Sequence, residues 1–356
     1  MFPPQETAAG NRGVSTATRA FACGGLLITA ISYTFGQEKA VDWVKVTDRA
    51  AWRPRDSQGE VVYRDKMWIF GGWFDSFQPA PRDVWNSADG RTWTLVTSTA
   101  GWTSSDIPMT LVFQDKMWFM GGWYNGRLPG HQPSREVWWS SDGARWEQAK
   151  PAAWSARMGA GAVVFKNRMW ILGGTEDYLF AKDDKRLKND VWCSSDGQEW
   201  TLVTAQAGWS PRALHQAVVL NGKIWVLGGG NYQPTLQVLN DVWCSEDGRN
   251  WTRGAETAPW QPRFWFSAVV YRDRMWVLGG STHRNQLIVD VWHSKDGKNW
   301  LPLKSKVAWS PRHEHSALVF QEKIWVAGGH AKPLNSEVWS LSIPEDWFND
   351  DAPPNR

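Results

Sequence analysis

Cysteine is scarce, with three in 356 residues, and only Cys193 and Cys244 lie beyond the N-terminal segment. That density excludes a disulfide-stapled scaffold, and two thiols are too few for a zinc site unless histidines contribute. Charge of one sign is lacking too. Lys and Arg number 39 against 36 Asp and Glu, a formal net of +3 with no long basic block, so nothing argues for nucleic acid. The most apolar stretch, Ala20 to Tyr33, is too short to span a bilayer comfortably. No nucleophile elbow, phosphate loop or fixed-spacing pair of catalytic carboxylates occurs.

Tryptophan and glycine are what the chain has in excess: 29 Trp and 32 Gly. Six Gly-Gly pairs, beginning at Gly71, Gly121, Gly173, Gly228, Gly279 and Gly328, follow one another every 49 to 55 residues. Aligned on them, 25 of the 29 Trp fall into four recurring slots, so the aromatic excess belongs to a repeated structural unit. Each unit opens with Trp (Trp52, Trp102, Trp154, Trp209, Trp260, Trp309). Three residues later comes a slot holding Arg55, Ser105, Arg157, Arg212, Arg263 and Arg312, and the first Gly always follows 16 residues after that slot.

An interval that tolerates no insertion implies paired strands, because a one-residue slip would turn every side chain to the other face. VVL-NGK-IWVL before Gly228 is the clearest hairpin. A loop of variable length then leads to an acid and Val-Trp, a Ser-x-Asp-Gly turn and a further Trp, which makes a second hairpin. The strands are apolar at both alternating positions, so both faces must be covered. These features predict an all-β chain folded as a six-bladed β-propeller of four-stranded antiparallel blades.

The Gly-Gly doublet, the downstream aromatic and the later Trp resemble kelch repeats over residues 43 to 347. Ser87-Ala88-Asp89-Gly90-Arg91-Thr92-Trp93 is similar to the Asp-box of sialidase-like propellers but is one residue shorter, and reads as turn chemistry. Trp43-Val44-Lys45-Val46-Thr47 has the spacing of a fourth strand and is expected to close the ring in the last blade. Trp347 competes for that slot without an Asp-Gly turn. The predicted organisation is a signal peptide or N-terminal anchor over 1–36, the propeller over 37–348 and a disordered tail over 349–356. Cys193 and Cys244 occupy equivalent slots and read as buried free thiols.

Within a blade strand direction alternates, so the loops between second and third strands and the inter-blade connections share one face, the top. Six of the seven His and three of the four Trp outside the repeat fall there. The Arg slot and the acids Asp83, Glu136, Asp190, Asp241, Asp290 and Glu337 are expected to form a structural ion-pair network. Ser105 leaves Glu136 to Arg135 or to a ligand. The expected ligand-binding set is Trp73, Asp75, Trp123, Tyr124, Arg127, His131, Tyr178, Trp265 and His315, because aromatic planes flanked by polar groups suit sugar rings and protein hot spots alike. Trp73 and Trp123 serve equally well as plugs of the channel or covers of their own loops.

His313 and Glu314 are the candidate catalytic pair, with Asp56 and Asp106 as further acids just after the Arg slot. Alternation places His313 and His315 on one side of a strand, a spacing compatible with two metal nitrogens. A His at that offset, as in His215 and His315, also resembles an ordinary kelch position, and no metal or other cofactor is expected. Copper radical oxidases share the kelch propeller, but the chain lacks their Tyr-Cys pair beside two His. Periplasmic sialic-acid mutarotases are six-bladed kelch proteins with acid and base residues in the top funnel; the chain is similar to them in blade count and expected compartment only, and Glu314 with His313, or Asp56 and Asp106, could serve in the same way. The expectation is a secreted or periplasmic recognition scaffold, monomeric, without a membrane span in its mature form, that binds carbohydrate or protein through its top face. The alternative is a mutarotase- or epimerase-like sugar-modifying enzyme. A deep funnel with a raised-pKa acid beside His would mark the enzyme, and a broad aromatic shelf the binding module.

Overall fold

The structure is a computed structural model that describes residues 40–351 except 76, 125–127, 178–185, 232–235 and 284–285. The described residues all lie in one unit, Glu38–Arg356. The expected signal or anchor segment lies outside the described residues. Among those described there is no α-helix, and none long and apolar enough to cross a membrane.

Among the described residues this unit holds a small three-stranded sheet of Ser104–Asp106, Trp123–Tyr124 and Gln132–Pro133, and six four-stranded antiparallel sheets. In the first, Gly59–Tyr63 is innermost, followed outward by Lys66–Phe70, Val84–Ser87 and Thr94–Thr97. Left-handed residues Arg64 and Asp65 make the tight hairpin turn that the fixed spacing requires, and every other blade repeats a left-handed pair there. Each sheet shares an apolar core with the next. There are six such cores, and one of them joins Met67 and Ile69 of the first sheet to Leu318, Phe320 and Trp325 of the sixth. Six sheets in a row would have five junctions, so the sixth closes the ring.

The Trp slots explain the aromatic excess. The second-strand Trp donates its indole N–H to a carbonyl five residues back, as Trp68 does to Tyr63 at 2.9 Å. The third-strand Trp donates to the acid two residues earlier, as Trp85 does to Asp83 at 2.7 Å. The Ser-x-Asp-Gly segment is turn chemistry as expected: Ser87 Oγ accepts from the Gly90 N–H, and Asp89 Oδ1 accepts from the N–H groups of Arg91 and Thr92. Its glycine admits a neighbour, since a Cβ on Gly248 would collide with the Trp170 ring of the preceding blade.

The last blade is built from both ends of the chain. Val44–Thr47 pairs with Val338–Leu341, and its bulge between Lys45 and Thr47 matches the one between Val84 and Trp85 across from Leu95 and Thr97. Trp43 meets Trp309 edge to face at 5.9 Å, as Trp93 meets Trp52 at 5.8 Å. The C-terminal residues contribute a 3₁₀ helix, Glu345–Asp351, rather than a strand. Its Trp347 lies 6.5 Å from Trp276, the ring left without an Asp-Gly turn to cover it. Residues 352–356 of the expected tail lie outside the described residues.

Candidate ligand site at the channel mouth

The Arg slot anchors the top of each blade. Arg55 Nη1 and Nη2 donate to the two Asp83 carboxylate oxygens at 2.6 and 2.8 Å, and Nη1 also donates to the Gly71 carbonyl at 2.8 Å. Arg157, Arg212 and Arg263 pair in the same way with Asp190, Asp241 and Asp290, whereas Arg312 donates to Glu337 through Nη2 alone and turns Nη1 to Asn335 Oδ1 and the Gly328 carbonyl. The expected network is present, confined within blades. Blade two differs: Ser105 is fully buried with its hydroxyl unpartnered, and Glu136 accepts from the Trp138 indole at 3.1 Å and has no ion pair among the described residues.

Two residues beyond that slot the chain must turn from the inter-blade connection into the innermost strand. It does so through the left-handed region in all six blades, at Ser57, Ile107, Gly159, Leu214, Trp265 and Glu314, with φ from 51° to 61°. Only one of the six is glycine, although each non-glycine residue costs on the order of 1 kcal/mol in this region. Hydrogen bonds running around the axis offset that cost. Ile107 N–H donates to Ser57 O, Ser57 to Glu314, Glu314 to Trp265, Trp265 to Leu214, and Leu214 to Gly159, at 2.8 to 3.3 Å. All six residues of this collar line one cavity of about 170 Å³, to which every blade contributes.

The collar has two characters. Leu214 and Trp265 pack with Ala213 and Phe264, and Ile107 from blade two rests on them. The other arc is polar and continuous. His330 Nδ1 lies 3.2 Å from Asp56 Oδ2, and Ser57 Oγ lies 3.2 Å from Asp56 Oδ1 and 2.7 Å from Glu314 Oε1. Glu314 Oε2 lies 2.6 Å from His313 Nδ1. The His313 ring stacks on His330 at 5.0 Å and on Trp265 at 4.9 Å, which joins the two arcs. One hydroxyl proton cannot serve two carboxylates. Burial, then the charges of Glu314 and Asp106, push Asp56 well above the usual carboxylate range, so Asp56 can carry the proton that Ser57 cannot give it. Burial, with His313 nearby, lowers His330.

Below the collar the same cavity meets Gln58, Glu60, His215 and His315. Burial pushes Glu60 up to about 8, opposed by the Ser316 hydroxyl at 3.3 Å. Burial, and the guanidinium beside each, lower His215 and His315 to about 3, so both are neutral imidazoles.

The strand spacing, the Gly-Gly doublets and the closed circuit of six sheets bear on ancestry as well as shape, and a family model agrees: the KLHDC2/KLHL20/DRC7 Kelch-repeats domain matches residues 61–280. The chain belongs to the kelch-repeat family. No curated protein matches it. The solved structure of YjhT is similar in fold, with a TM-score of 0.66 at 15% identity, covering 85% of this kelch chain and 98% of YjhT.

In this kelch propeller the residues expected to bind ligand are not all brought together. Trp265, His313 and Glu314 meet at the mouth, and Trp73 adjoins them through a backbone bridge to Asp56. Trp123 is 2% exposed, paired through its backbone with Ser104–Asp106 and packed against His131, so it covers its own loop. Tyr124 is half-buried in the same small sheet. Asp75 accepts from the Phe77 N–H and the Gln78 side chain, shaping a loop that leaves Phe77 85% exposed. Arg127 and Tyr178 lie outside the described residues.

The alternation drawn for His313 and His315 fails because Glu314 between them is left-handed. His315 turns inward against Trp309 at 5.1 Å instead of joining His313. No group of three or more metal-ligating side chains occurs among the described residues. Trp265 is only 9% exposed, so among the described residues it offers the mouth an edge and no broad aromatic shelf. Sequence reasoning missed the collar, Ser57 and Glu60. The constant offset of two from the Arg slot was the available signal, but Ser, Ile, Leu, Trp and Glu do not announce a left-handed backbone.

Proposed function

We propose that this kelch propeller is an exported, monomeric recognition scaffold that binds a carbohydrate or protein ligand on its top face, with the channel mouth as the binding site and carbohydrate as the favoured class. The two-sided collar carries this reading. An apolar arc at Ile107, Leu214 and Trp265 suits the C–H face of a sugar ring, and the carboxyl groups of Glu314 and Asp56 suit its hydroxyls. Calorimetric titration of the mature protein against a glycan panel tests it. Binding that Trp265→Ala weakens is expected, and silence across the panel removes the carbohydrate class. Export rests on the character of residues 1–36, and N-terminal sequencing of the secreted product checks it.

A second reading, acid–base modification of the bound sugar, is favoured by one observation: a raised Asp56 linked through Ser57 to the Glu314–His313 pair, with His330 at its other side. A protonated acid and an imidazole–carboxylate base in one chain are what proton transfer to and from a ring oxygen requires. Faster anomer exchange of a bound sugar by NMR, abolished in Asp56→Asn, is the expected result. An unchanged rate in that variant removes the reading.

A further inference from the structure

We propose that the channel mouth and the cavity beneath it take a ligand bearing a primary ammonium or guanidinium group. This rests on reading the mouth as the binding site, and it names the charge of what binds there. Donors and acceptors are unequal in the cavity wall. Among the described lining residues there is no Lys or Arg. Each hydroxyl and amide side chain that lines the cavity donates to the protein. Ser57 donates to Glu314 at 2.7 Å, Thr110 to the Glu60 carbonyl at 2.9 Å and Ser267 to the His315 carbonyl at 2.6 Å. The amide nitrogen of Gln216 donates to the Phe266 carbonyl at 2.8 Å, and that of Gln58 donates to Ser316 Oγ and the Ala327 carbonyl at 2.8 and 3.0 Å.

Acceptors remain. Gln58 is 6% exposed and lines the cavity, yet its Oε1 has no donor among the described residues. A buried amide oxygen left in that state costs about 1–3 kcal/mol, which a ligand N–H would recover. His215 and His315 are buried and line the same space; the Leu172 backbone engages His215, both ring nitrogens of His315 are unpartnered among the described residues, and each neutral imidazole carries one lone pair beside one N–H. Glu314 adds a carboxyl group within the lining, and Glu60 there and Asp56 beside it through Ser57, both held protonated by burial, each add a carbonyl oxygen beside one O–H. An ammonium brings three donors and no acceptor, and a guanidinium brings five. A carboxylate ligand brings acceptors alone and would meet the Glu314 carboxyl with no Lys or Arg among the described lining residues to answer it.

The test is calorimetry on the mature full-length protein with methylguanidinium, glucosamine, glucose and glucuronate. Methylguanidinium and glucosamine are expected to bind, glucosamine at least about tenfold tighter than glucose or glucuronate, with affinity falling as salt rises. Glu314→Gln is expected to erase the preference at an unchanged melting temperature. Should that variant fail to fold, Gln58→Leu is expected to weaken methylguanidinium several-fold. Glucuronate or glucose binding as tightly as glucosamine overturns the assignment and leaves carbohydrate binding standing. Methylguanidinium binding without any sugar upholds the assignment and removes the carbohydrate class. An arginine-bearing peptide that binds tighter than its glutamine counterpart also upholds it and identifies the group's source as a protein. Absence of binding by both cations overturns it.

Discussion

At the scale of single residues, buried charge decides what can be changed. Arg212 is fully buried against Asp241, with a further bond to the Gly228 carbonyl at 3.0 Å. Arg212→Met leaves Asp241 without its cation and is expected to cost about 3–5 kcal/mol in denaturant melts. Ser105→Ala is expected to be neutral or slightly stabilising in the same assay, because the hydroxyl it removes is buried without a partner. Glu60 and the two buried imidazoles give opposite pH limbs. Glu60, at about 8 against an ordinary 4.5, keeps a proton in the folded state that the unfolded chain has released, so its contribution is full below pH 4.5 and lost as pH rises to about 8. Glu60→Gln is expected to flatten that loss and raise the melting temperature at alkaline pH. His215 and His315, at about 3 against 6.5, take up protons only on unfolding, so stability falls as pH drops below 6.5. His215→Phe places there the residue that blade five carries as Phe266, and thermal melts should show less acid sensitivity.

At the scale of the element, the blade was legible and the collar was not. A 16-residue interval and four Trp slots write the hairpins directly, since register and the need to cover both sheet faces leave few other arrangements. The Arg and acid slots were likewise readable, because a long guanidinium spans two strand spacings where Gly-Gly removes the obstruction. A backbone turn imposed by neighbouring blades leaves no local mark. Propensity argues against left-handed Ile107, Leu214 and Trp265, and only the bonds to adjoining blades hold them there. The same blindness puts His313 and His315 side by side and leaves Trp123 open between a ligand plane and a cover of its own loop, a choice that the short pairing with Ser104–Asp106 makes by burying it. Blade two replaces its guanidinium with aromatic packing: Trp102 lies flat on Phe119 at 4.2 Å, an arrangement none of the described Arg-bearing blades shows. Phe119→Ala is accordingly expected to cost about 3–5 kcal/mol, with chemical denaturation as the measure.

At the scale of the molecule, the two ends of the described chain share one blade and one task. Deleting residues 37–48 removes Trp43 from Trp309 and strips the outer strand from Val338–Leu341. The melting temperature should fall sharply and the transition broaden, whereas an unchanged cooperative melt would show that the ring closes without its latch. Trp347→Ala should have a smaller effect, since it uncovers Trp276 and His293 at the rim without opening a sheet. The collar has a longer reach. Its main chain takes one shape whether the residue is Ser, Ile, Gly, Leu, Trp or Glu, because amides from the neighbouring blades enforce it. Six positions around one opening can therefore exchange their chemistry while the walls behind them stay the same, so a new ligand preference could evolve by substitutions that never disturb the scaffold.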